Sequence, residues 1–252
     1  MTNAAFCTSI ICPVRNRNER LKTALENWLS FEVPQIIVVD FRDDGCESAW
    51  DIVKEINDSR IKLIETKYEY RWIPSIAMNL GVYNSYHEYI LRLDVDYILQ
   101  PNFFDKNIPS YSSFITGCDN LYQEPETYHY YGLIYVGRQF HGCIGGFNEN
   151  LIYYGHEDGD FVGRLLQMGL HKQLFDHSSL KHIQHDDTCS LESQINKMDM
   201  SEQIIGRIKF HTVNVNKAIG ELAKWNNQSV RIQWNIQEIE SNRYLAIRNV
   251  KR

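Results

Sequence analysis

The feature that most constrains the fold is an alternation, up to residue 93, of short apolar runs with apolar residues at helical spacing. Four runs have the length and composition of buried strands: residues 8–12, 35–40, 61–65 and 89–93. Three amphipathic helices are predicted between them: residues 21–29, 49–56 and 75–86. This alternation predicts an α/β fold of Rossmann-like type, with a mostly parallel central sheet and helices on both faces. Ligands are expected beyond the carboxyl ends of the strands.

The pattern is less regular in the rest of the chain. Further elements are predicted as a helix at 158–168, short strands at 172–175 and 180–185, a helix at 190–208, and alternating runs at 230–236 and 244–250. With 252 residues the chain can bury about 70–75% of its unfolded surface, so it needs no disulfide or metal to fold. We expect one main domain over residues 1–189, with a C-terminal extension over 190–252 packed on it.

Composition and charge exclude several classes of protein. A net charge of −6 argues against a nucleic-acid partner, which requires a basic surface. No run approaches the ~20 apolar residues that span a bilayer, and the first residues lack the form of a signal peptide. The six cysteines are scattered without a CxxC pair, which is typical of reduced thiols. We therefore expect a cytoplasmic protein.

Two carboxylates follow the fourth predicted strand directly. Asp94 and Asp96 are two residues apart, so in an extended segment both point to the same side. Hard oxygen ligands of this kind suit Mg²⁺ or Mn²⁺, and the alternative is a solvated turn at a strand end. His182 and His185 close a later predicted strand and are candidates to complete such a site, although each is also compatible with an ordinary surface histidine.

A glycine pair and an acidic run form the third candidate region. The adjacent glycines 145 and 146 allow the backbone to approach a ligand closely. The run from Tyr154 to Asp160 stands at the predicted start of a helix, where acidic side chains are favoured by the helix dipole. The alternatives are therefore helix-terminal acids or a general base that takes a proton from a hydroxyl.

Taken together, these segments resemble a known family over residues 9–185. The segments SIICPVRNR…QIIVVDFRDDG and Asn79-Leu80-Gly81 before YILRLDVD are similar to family 2 glycosyltransferases of the GT-A fold. The segment HGCIGGFNE…YYGHEDGDF resembles the C-terminal catalytic segment of β-1,4-galactosyltransferases and polypeptide N-acetylgalactosaminyltransferases. The chain after about Cys189 has no such counterpart.

The resemblance implies a role for each matching residue. It implies that Pro13 and Arg15 border the nucleotide and that Asp40 hydrogen-bonds uracil. For the metal it implies Asp94 and Asp96, with Asp96 as the more direct ligand, together with His182 and His185, of which His185 is favoured. Glu157 and Asp158 match the acidic pair that contacts the acceptor, with Asp158 as the catalytic base. Tyr154 replaces a tryptophan of the sugar pocket, and Asp43 and Asp44 receive no role because FRDDG departs from the family's DDGSxD.

The activity implied is a metal-dependent, inverting transfer of a sugar from a UDP-sugar. Galactose or N-acetylgalactosamine is favoured as the sugar, Mn²⁺ or Mg²⁺ as the metal, and a glycan or glycolipid of a surface polysaccharide as the acceptor. Peripheral contact with the inner face of the membrane and homo-oligomerisation are both left open. Two rivals are a sugar-nucleotide-forming nucleotidyltransferase, which should show a glycine-rich loop absent from PVRNRNER, and an inactive sugar-binding module, which should lack the acidic residues.

Overall fold

The computed structural model describes residues 4–42, 45–67, 73–117, 130–151, 155–183, 202–222 and 233–249. Within these ranges the strands are β1 (Thr8–Val14), β2 (Gln35–Asp40), β3 (Ile61–Lys67), β4 (Tyr89–Arg92), β5 (Tyr97–Leu99), β6 (Ser113–Thr116), β7 (Ile134–Gly137), β8 (His171–Leu174), β9 (Leu180–His182), β10 (Trp234–Glu240) and β11 (Arg243–Arg248). The α-helices are α1 (Asn18–Leu29), α2 (Trp50–Ile56), α3 (Pro74–Tyr83), α4 (Phe103–Lys106), α5 (Arg138–Cys143), α6 (Glu157–Gln167) and α7 (Glu202–Leu222). None of the helices described is both long enough and apolar enough to cross a bilayer.

Nine strands form one sheet in the order β10-β11-β3-β2-β1-β4-β7-β6-β8, and β5 pairs with β9 separately. Within the run β11-β3-β2-β1-β4 each strand is parallel to the next, whereas β7 is antiparallel to both strands beside it. The predicted mostly parallel sheet is therefore confirmed. The chain moves outward from β1 to β3 and then returns to place β4 on the other side of β1. Ligands of open α/β sheets bind at such a reversal, beyond the carboxyl ends of the two central strands.

The helices cover both faces of the sheet because consecutive strand residues point to opposite sides. On one face, α1 and α2 pack with Ile10 and Ile36 in a buried cluster. On the other face, α3 and α6 pack with Ile11 and Ile37. Each of these four isoleucines is fully buried. The two apolar layers hold the sheet rigid, so the loops at the carboxyl ends of β1 and β4 have fixed anchors.

The C-terminal extension takes part in the central sheet. Strand β11 pairs in parallel with β3, and β10 closes the edge as an antiparallel hairpin. Arg243 at the start of β11 donates to the Glu65 carboxylate at 2.6 Å and lies over the Trp50 ring, 5.1 Å from its centroid. The hairpin is thus held to the rest of the chain by backbone pairing and by charge. The domain boundary near residue 189 stays a prediction.

Some element boundaries differ from those predicted from the sequence. The described part of the helix expected at 190–208 runs from Glu202 and continues to Leu222. The strand expected at 230–236 is observed as β10, which ends at Glu240. The helix runs longer because α7 packs on α6, with the side chains of Thr212 and Asn216 buried. That packing is a tertiary effect, which local periodicity does not report.

Candidate functional site

The Asp94–Asp96 segment follows β4 at the carboxyl edge of the sheet. Asp96 is buried, and its two carboxylate oxygens accept hydrogen bonds from Nη1 of Arg17 and Nη1 of Arg20, each at 2.7 Å. Arg17 immediately precedes α1, and Arg20 lies in its first turn, shortly after β1. The Asp94 side chain is 31% exposed. Asp94 is therefore the accessible carboxylate of the pair, and Asp96 is the one tied to arginine.

This arrangement bears on the predicted metal site. Asp94 offers a hard oxygen ligand at the surface of the site, which suits Mg²⁺ or Mn²⁺. Both Asp96 oxygens are paired with arginine, so a cation that binds Asp96 has to replace an arginine. That Asp96 is the more direct ligand stays a prediction. Over the part of the chain that the structure describes, no three His, Cys, Asp or Glu side chains are grouped closely enough to hold a metal. His185 lies outside the described residues. Among the described candidates, Asp94 is the carboxylate that a metal can reach without displacing an arginine.

His182 lies in β9, next to this segment. Its ring centroid is 5.5 Å from that of Tyr97 and 6.4 Å from that of Tyr130. The backbone N–H of the following residue, Ile183, donates to the Asp96 carbonyl at 2.7 Å. The structure thus places β9 beside the acidic segment, with the His182 ring among aromatic side chains.

The acidic run begins α6 after two residues with left-handed backbone. Gly155 has φ +92° and His156 has φ +72°, a conformation that is uncommon for a residue other than glycine. The turn buries Glu157, Asp158 and Asp160 in the first turn of the helix. Burial raises the pKa of the Glu157 carboxyl, and the nearby Arg92 opposes that rise. Buried carboxylates with perturbed protonation are typical of functional sites.

Asp158 and Asp160 have different partners. Asp160 pairs with Arg164 one turn along the helix, at 2.5 Å, so it acts in the structure as a helix-terminal acid. Asp158 pairs with Nη1 of Arg92, at the end of β4. Nη2 of the same guanidinium lies 3.7 Å from Oδ2 of Asp94. The structure therefore brings the predicted base and the predicted metal carboxylate to opposite ends of one buried arginine.

The glycine pair forms a turn that is anchored by Asn79 of α3. Nδ2 of Asn79 donates to the Phe147 carbonyl at 2.9 Å, and its Oδ1 accepts from the Phe147 N–H at 2.8 Å. Nε2 of the buried His141 lies 2.9 Å from the same Oδ1. Arg164 donates to the carbonyl of Gly146 at 2.6 Å. The motif of Asn79 and the glycine motif, separate in sequence, are thus one hydrogen-bonded unit beside α6.

Asp40 closes β2 and is only 3% exposed. Its two oxygens accept from the backbone N–H groups of Arg42, at 3.0 Å, and Ala49, at 3.1 Å. Burial raises the pKa of Asp40 to about 6. Arg42 also pairs with Glu65, the residue that lies opposite Asp40 on β3. In the structure Asp40 organises the loop that follows β2, a role beyond the predicted contact with uracil.

The remaining predicted residues fall in two groups. Pro13 is buried within β1, and Arg15 is partly buried directly after it, at the same sheet edge as Asp94. Tyr154, Asp43 and Asp44 lie outside the described residues.

Helix α7 packs over the left-handed turn. Asn216, 1% exposed, donates from Nδ2 to the Gly155 carbonyl at 2.8 Å. A Cβ on Gly155 would lie 2.6 Å from a methyl of Val213, so only glycine allows this contact. Sequence reasoning missed Asn216, whose segment has no family counterpart. It also missed Arg92, although a charged residue inside the apolar run YILRL is a usable signal.

Two family models match this chain, one over its N-terminal half and one over the segment that follows. Residues 9–139 match the family described as glycosyl transferase family 2. Residues 119–186 match the family described as the N-terminal domain of galactosyltransferase. No curated protein matches the chain.

Two of the solved structures that are similar in fold illustrate the match. One is a mutant Drosophila β-1,4-galactosyltransferase 7 in complex with manganese, UDP-Gal and xylobiose; it is 14% identical, with 96% of this chain and 92% of that chain covered and a TM-score of 0.57. The other is a mannosyltransferase from Pyrobaculum calidifontis in complex with GDP-Man and Mn²⁺; it is 15% identical, with 86% and 70% covered and a TM-score of 0.57.

These similarities confirm the fold class predicted from the sequence, a GT-A sheet covered by helices. The first family match spans more than half of the 252 residues and includes both Asp40, at the end of β2, and Asp94, directly after β4. The chain therefore belongs to glycosyl transferase family 2.

Proposed function

We propose that this protein is a metal-dependent, inverting glycosyltransferase that moves a sugar from a UDP-sugar to a hydroxyl of a glycan acceptor. The observation that carries the proposal is the convergence of Asp94 and Asp158 on Arg92. These carboxylates come from a strand end and a helix start that lie far apart in sequence. They meet at the carboxyl edge of the sheet, where α/β proteins bind ligands.

Asp158 is the proposed general base. Its Oδ1 is paired with Arg92, and a carboxylate has a second oxygen that can take the proton of an acceptor hydroxyl. Arg92 places a positive charge directly beside this carboxylate. Glu157, buried beside it, is proposed to orient a sugar hydroxyl through a hydrogen bond. The hydroxyl then attacks the anomeric carbon from the face opposite the leaving diphosphate, which inverts its configuration.

Asp94 is the described residue proposed to hold the metal, together with His185 and with Asp96 after exchange with an arginine. A bound Mn²⁺ or Mg²⁺ supplies charge stabilisation for the departing diphosphate. Arg15 follows β1 at the same edge and is proposed to border the nucleotide. Arg17 and Arg20 carry positive charge to this edge as well.

The donor proposed is UDP-galactose or UDP-N-acetylgalactosamine. The match of residues 119–186 to a galactosyltransferase domain supports this choice, as does the UDP-Gal complex of the Drosophila neighbour. The GDP-Man complex of the second neighbour makes GDP-mannose the competing donor.

The biological setting proposed is the synthesis of a surface polysaccharide in the cytoplasm, with a glycan or glycolipid as acceptor. The described cysteines 7, 12, 46 and 143 are free thiols, which agrees with a reducing compartment.

The test is a donor screen that measures release of the nucleotide diphosphate. UDP-galactose, UDP-N-acetylgalactosamine, UDP-glucose, UDP-N-acetylglucosamine and GDP-mannose are compared with Mn²⁺, with Mg²⁺ and with a chelator. We expect turnover with one of the two galactose-type donors, loss of turnover in chelator, and inverted product by NMR. Formation of a sugar nucleotide from a sugar phosphate would instead support a nucleotidyltransferase. Donor binding without any turnover would support an inactive module.

The matched variants are Asp158→Asn and Asp160→Asn, which change two carboxylates of the same helical turn. Turnover should fall by ~10²–10⁴-fold in Asp158→Asn, the effect of losing a general base. The turnover of Asp160→Asn should fall far less, because Asp160 pairs with Arg164 and has no described contact with Arg92 or Asp94. The reverse order of effects would show that the base is misassigned.

A further inference from the structure

Arg92 is the only residue described with ion pairs to both Asp94 and Asp158. It ends β4 and is 6% exposed. Its charge also acts on Glu157, where it opposes the effect of burial. Three carboxylates so close together repel one another, and a single guanidinium lies among them. The proposed mechanism uses this cation only as the partner of Asp158.

The surrounding chain is shaped to the guanidinium. A Cβ on Gly132 would lie 3.2 Å from both terminal nitrogens of Arg92 and 3.3 Å from Cζ, which is closer than ordinary packing. Because residue 132 has no side chain, the guanidinium of Arg92 can pack against the backbone that leads into β7. In the described residues, Nε of Arg92 is buried without a hydrogen-bond partner. Burying such a donor is costly, so the position is maintained against an energetic penalty.

A comparison with Arg164 separates this arginine from a structural one. Arg164 also pairs with a buried acid of α6, through Nε and Nη2, but its remaining nitrogen, Nη1, donates to the backbone carbonyls of Ile144 and Gly146. Its bonds therefore hold a turn in place. The ion pairs of Arg92 are instead to the two carboxylates that the proposed reaction uses, one on the donor side and one on the acceptor side.

We propose that Arg92 is a positioning residue of the transfer reaction, which fixes the carboxylate of Asp158 relative to Asp94. This inference rests on the proposed function. With Oδ1 of Asp158 held by Nη1, the orientation of the remaining oxygen is set, and so is the place of the acceptor hydroxyl. Because Nη2 lies near Asp94, the acceptor hydroxyl is also positioned relative to the donor that Asp94 is proposed to hold. Geometry of this kind governs the chemical step more than it governs binding.

Three variants test the inference. Arg92→Met removes the charge, Arg92→Lys keeps a charge but loses the fork that reaches two carboxylates, and Gly132→Ala keeps Arg92 but displaces its guanidinium by a few tenths of an ångström. Arg60→Met is the control, because Arg60, like Arg92, pairs with an aspartate but lies away from the site, where it donates to the carbonyls of Leu29 and Phe31.

The measurements are kcat, KM for the acceptor, thermal unfolding, and calorimetric binding of UDP in the presence of Mn²⁺. We expect kcat to fall by ~10²-fold in Arg92→Met and ~10-fold in Gly132→Ala, since small misplacements have effects of this size. Arg92→Lys should recover part of the loss, and UDP affinity should change less than about threefold, because the diphosphate is not held by Arg92. Arg60→Met should lower the unfolding temperature and leave kcat unchanged.

Specific outcomes overturn the inference. One is an Arg92→Met protein that is folded at the assay temperature and keeps kcat within about threefold of the unaltered chain. Another is a loss confined to UDP affinity, which would make Arg92 a nucleotide contact. If Arg92→Met does not fold, normal kcat in both Gly132→Ala and Arg92→Lys overturns it. Absence of transfer by the unaltered chain with every donor overturns the proposed function and this inference with it, whereas normal transfer with unaffected variants overturns the inference alone.

Discussion

Replacing Gly146 by alanine should lower the free energy of unfolding more than the same change at Gly163 or Gly169. Gly146 has φ +80°, and a Cβ there would lie 2.7 Å from Oδ1 of Asn79 and 3.0 Å from Cε1 of His141. The left-handed backbone alone costs an L-residue about 1–2 kcal/mol. Displacing Asn79 weakens the two contacts that its Oδ1 makes, to Phe147 and His141, at about 0.5–1.5 kcal/mol each. The free energy of unfolding should therefore fall by about 2–5 kcal/mol in Gly146→Ala.

Two control variants separate these contributions. Gly169 has φ +91° and open space around it, so Gly169→Ala should show the backbone cost alone, about 1–2 kcal/mol. Gly163 lies inside α6 with nothing within 4 Å of its Cβ position, so Gly163→Ala should stabilise the protein by about 1 kcal/mol.

The assay is urea unfolding, with the slope m checked for constancy so that differences in midpoint report stability. The turnover of Gly146→Ala should also fall, because the turn packs beside the helix that carries Asp158. If Gly146→Ala cost no more than Gly169→Ala, the contact between the turn and Asn79 would not be what requires glycine there, and the reasoning would be refuted.

Three further expectations concern single side chains. Burial raises the pKa of Asp40 from 3.8 to about 6, so the folded protein holds this proton more tightly than the unfolded chain does. Below pH 3.8 the shift therefore costs no stability, and as the pH rises through 6 the free energy of unfolding should fall by about 3 kcal/mol relative to Asp40→Asn. Urea unfolding with the same pH dependence in both proteins would contradict this. Asn216→Ala removes the hydrogen bond to the Gly155 carbonyl, and kcat should fall with little change in UDP affinity; an unchanged kcat would exclude a role for α7 at the site. Arg243→Met leaves Glu65 without its partner from β11, at a cost of about 1.5–3 kcal/mol in thermal unfolding, and no change would show that backbone pairing alone holds the hairpin.

Much of the fold follows from local pattern. Strand β2 begins and ends where its apolar run does, and α1, α2 and α6 lie within a few residues of their predicted bounds. These elements are predictable because periodicity reports which face of a segment is buried. The extension is different, since α7 and β10 are placed by contacts with α6 and β11 rather than by their own pattern.

The site divides in the same way. Asp94, Asp96, Glu157 and Asp158 could be singled out from the sequence, because acids at strand ends and helix starts recur in motifs of fixed spacing. Their partners could not. The pairing of Asp96 with Arg17 and Arg20 depends on the approach of α1 to the segment after β4.

The sequence by itself determined a parallel sheet with acidic residues at its carboxyl edge, because strand and helix periodicities and the order of motifs are local properties. Only the tertiary structure decided that Arg92 lies between Asp94 and Asp158. It also decided that Asn79 holds the glycine turn and that the hairpin of β10 and β11 extends the sheet at β3. The physical reason is that the role of a charge or a buried amide depends on the groups that folding brings within hydrogen-bond distance. Those groups come from distant segments of the chain, and nothing in the local sequence indicates that the segments meet.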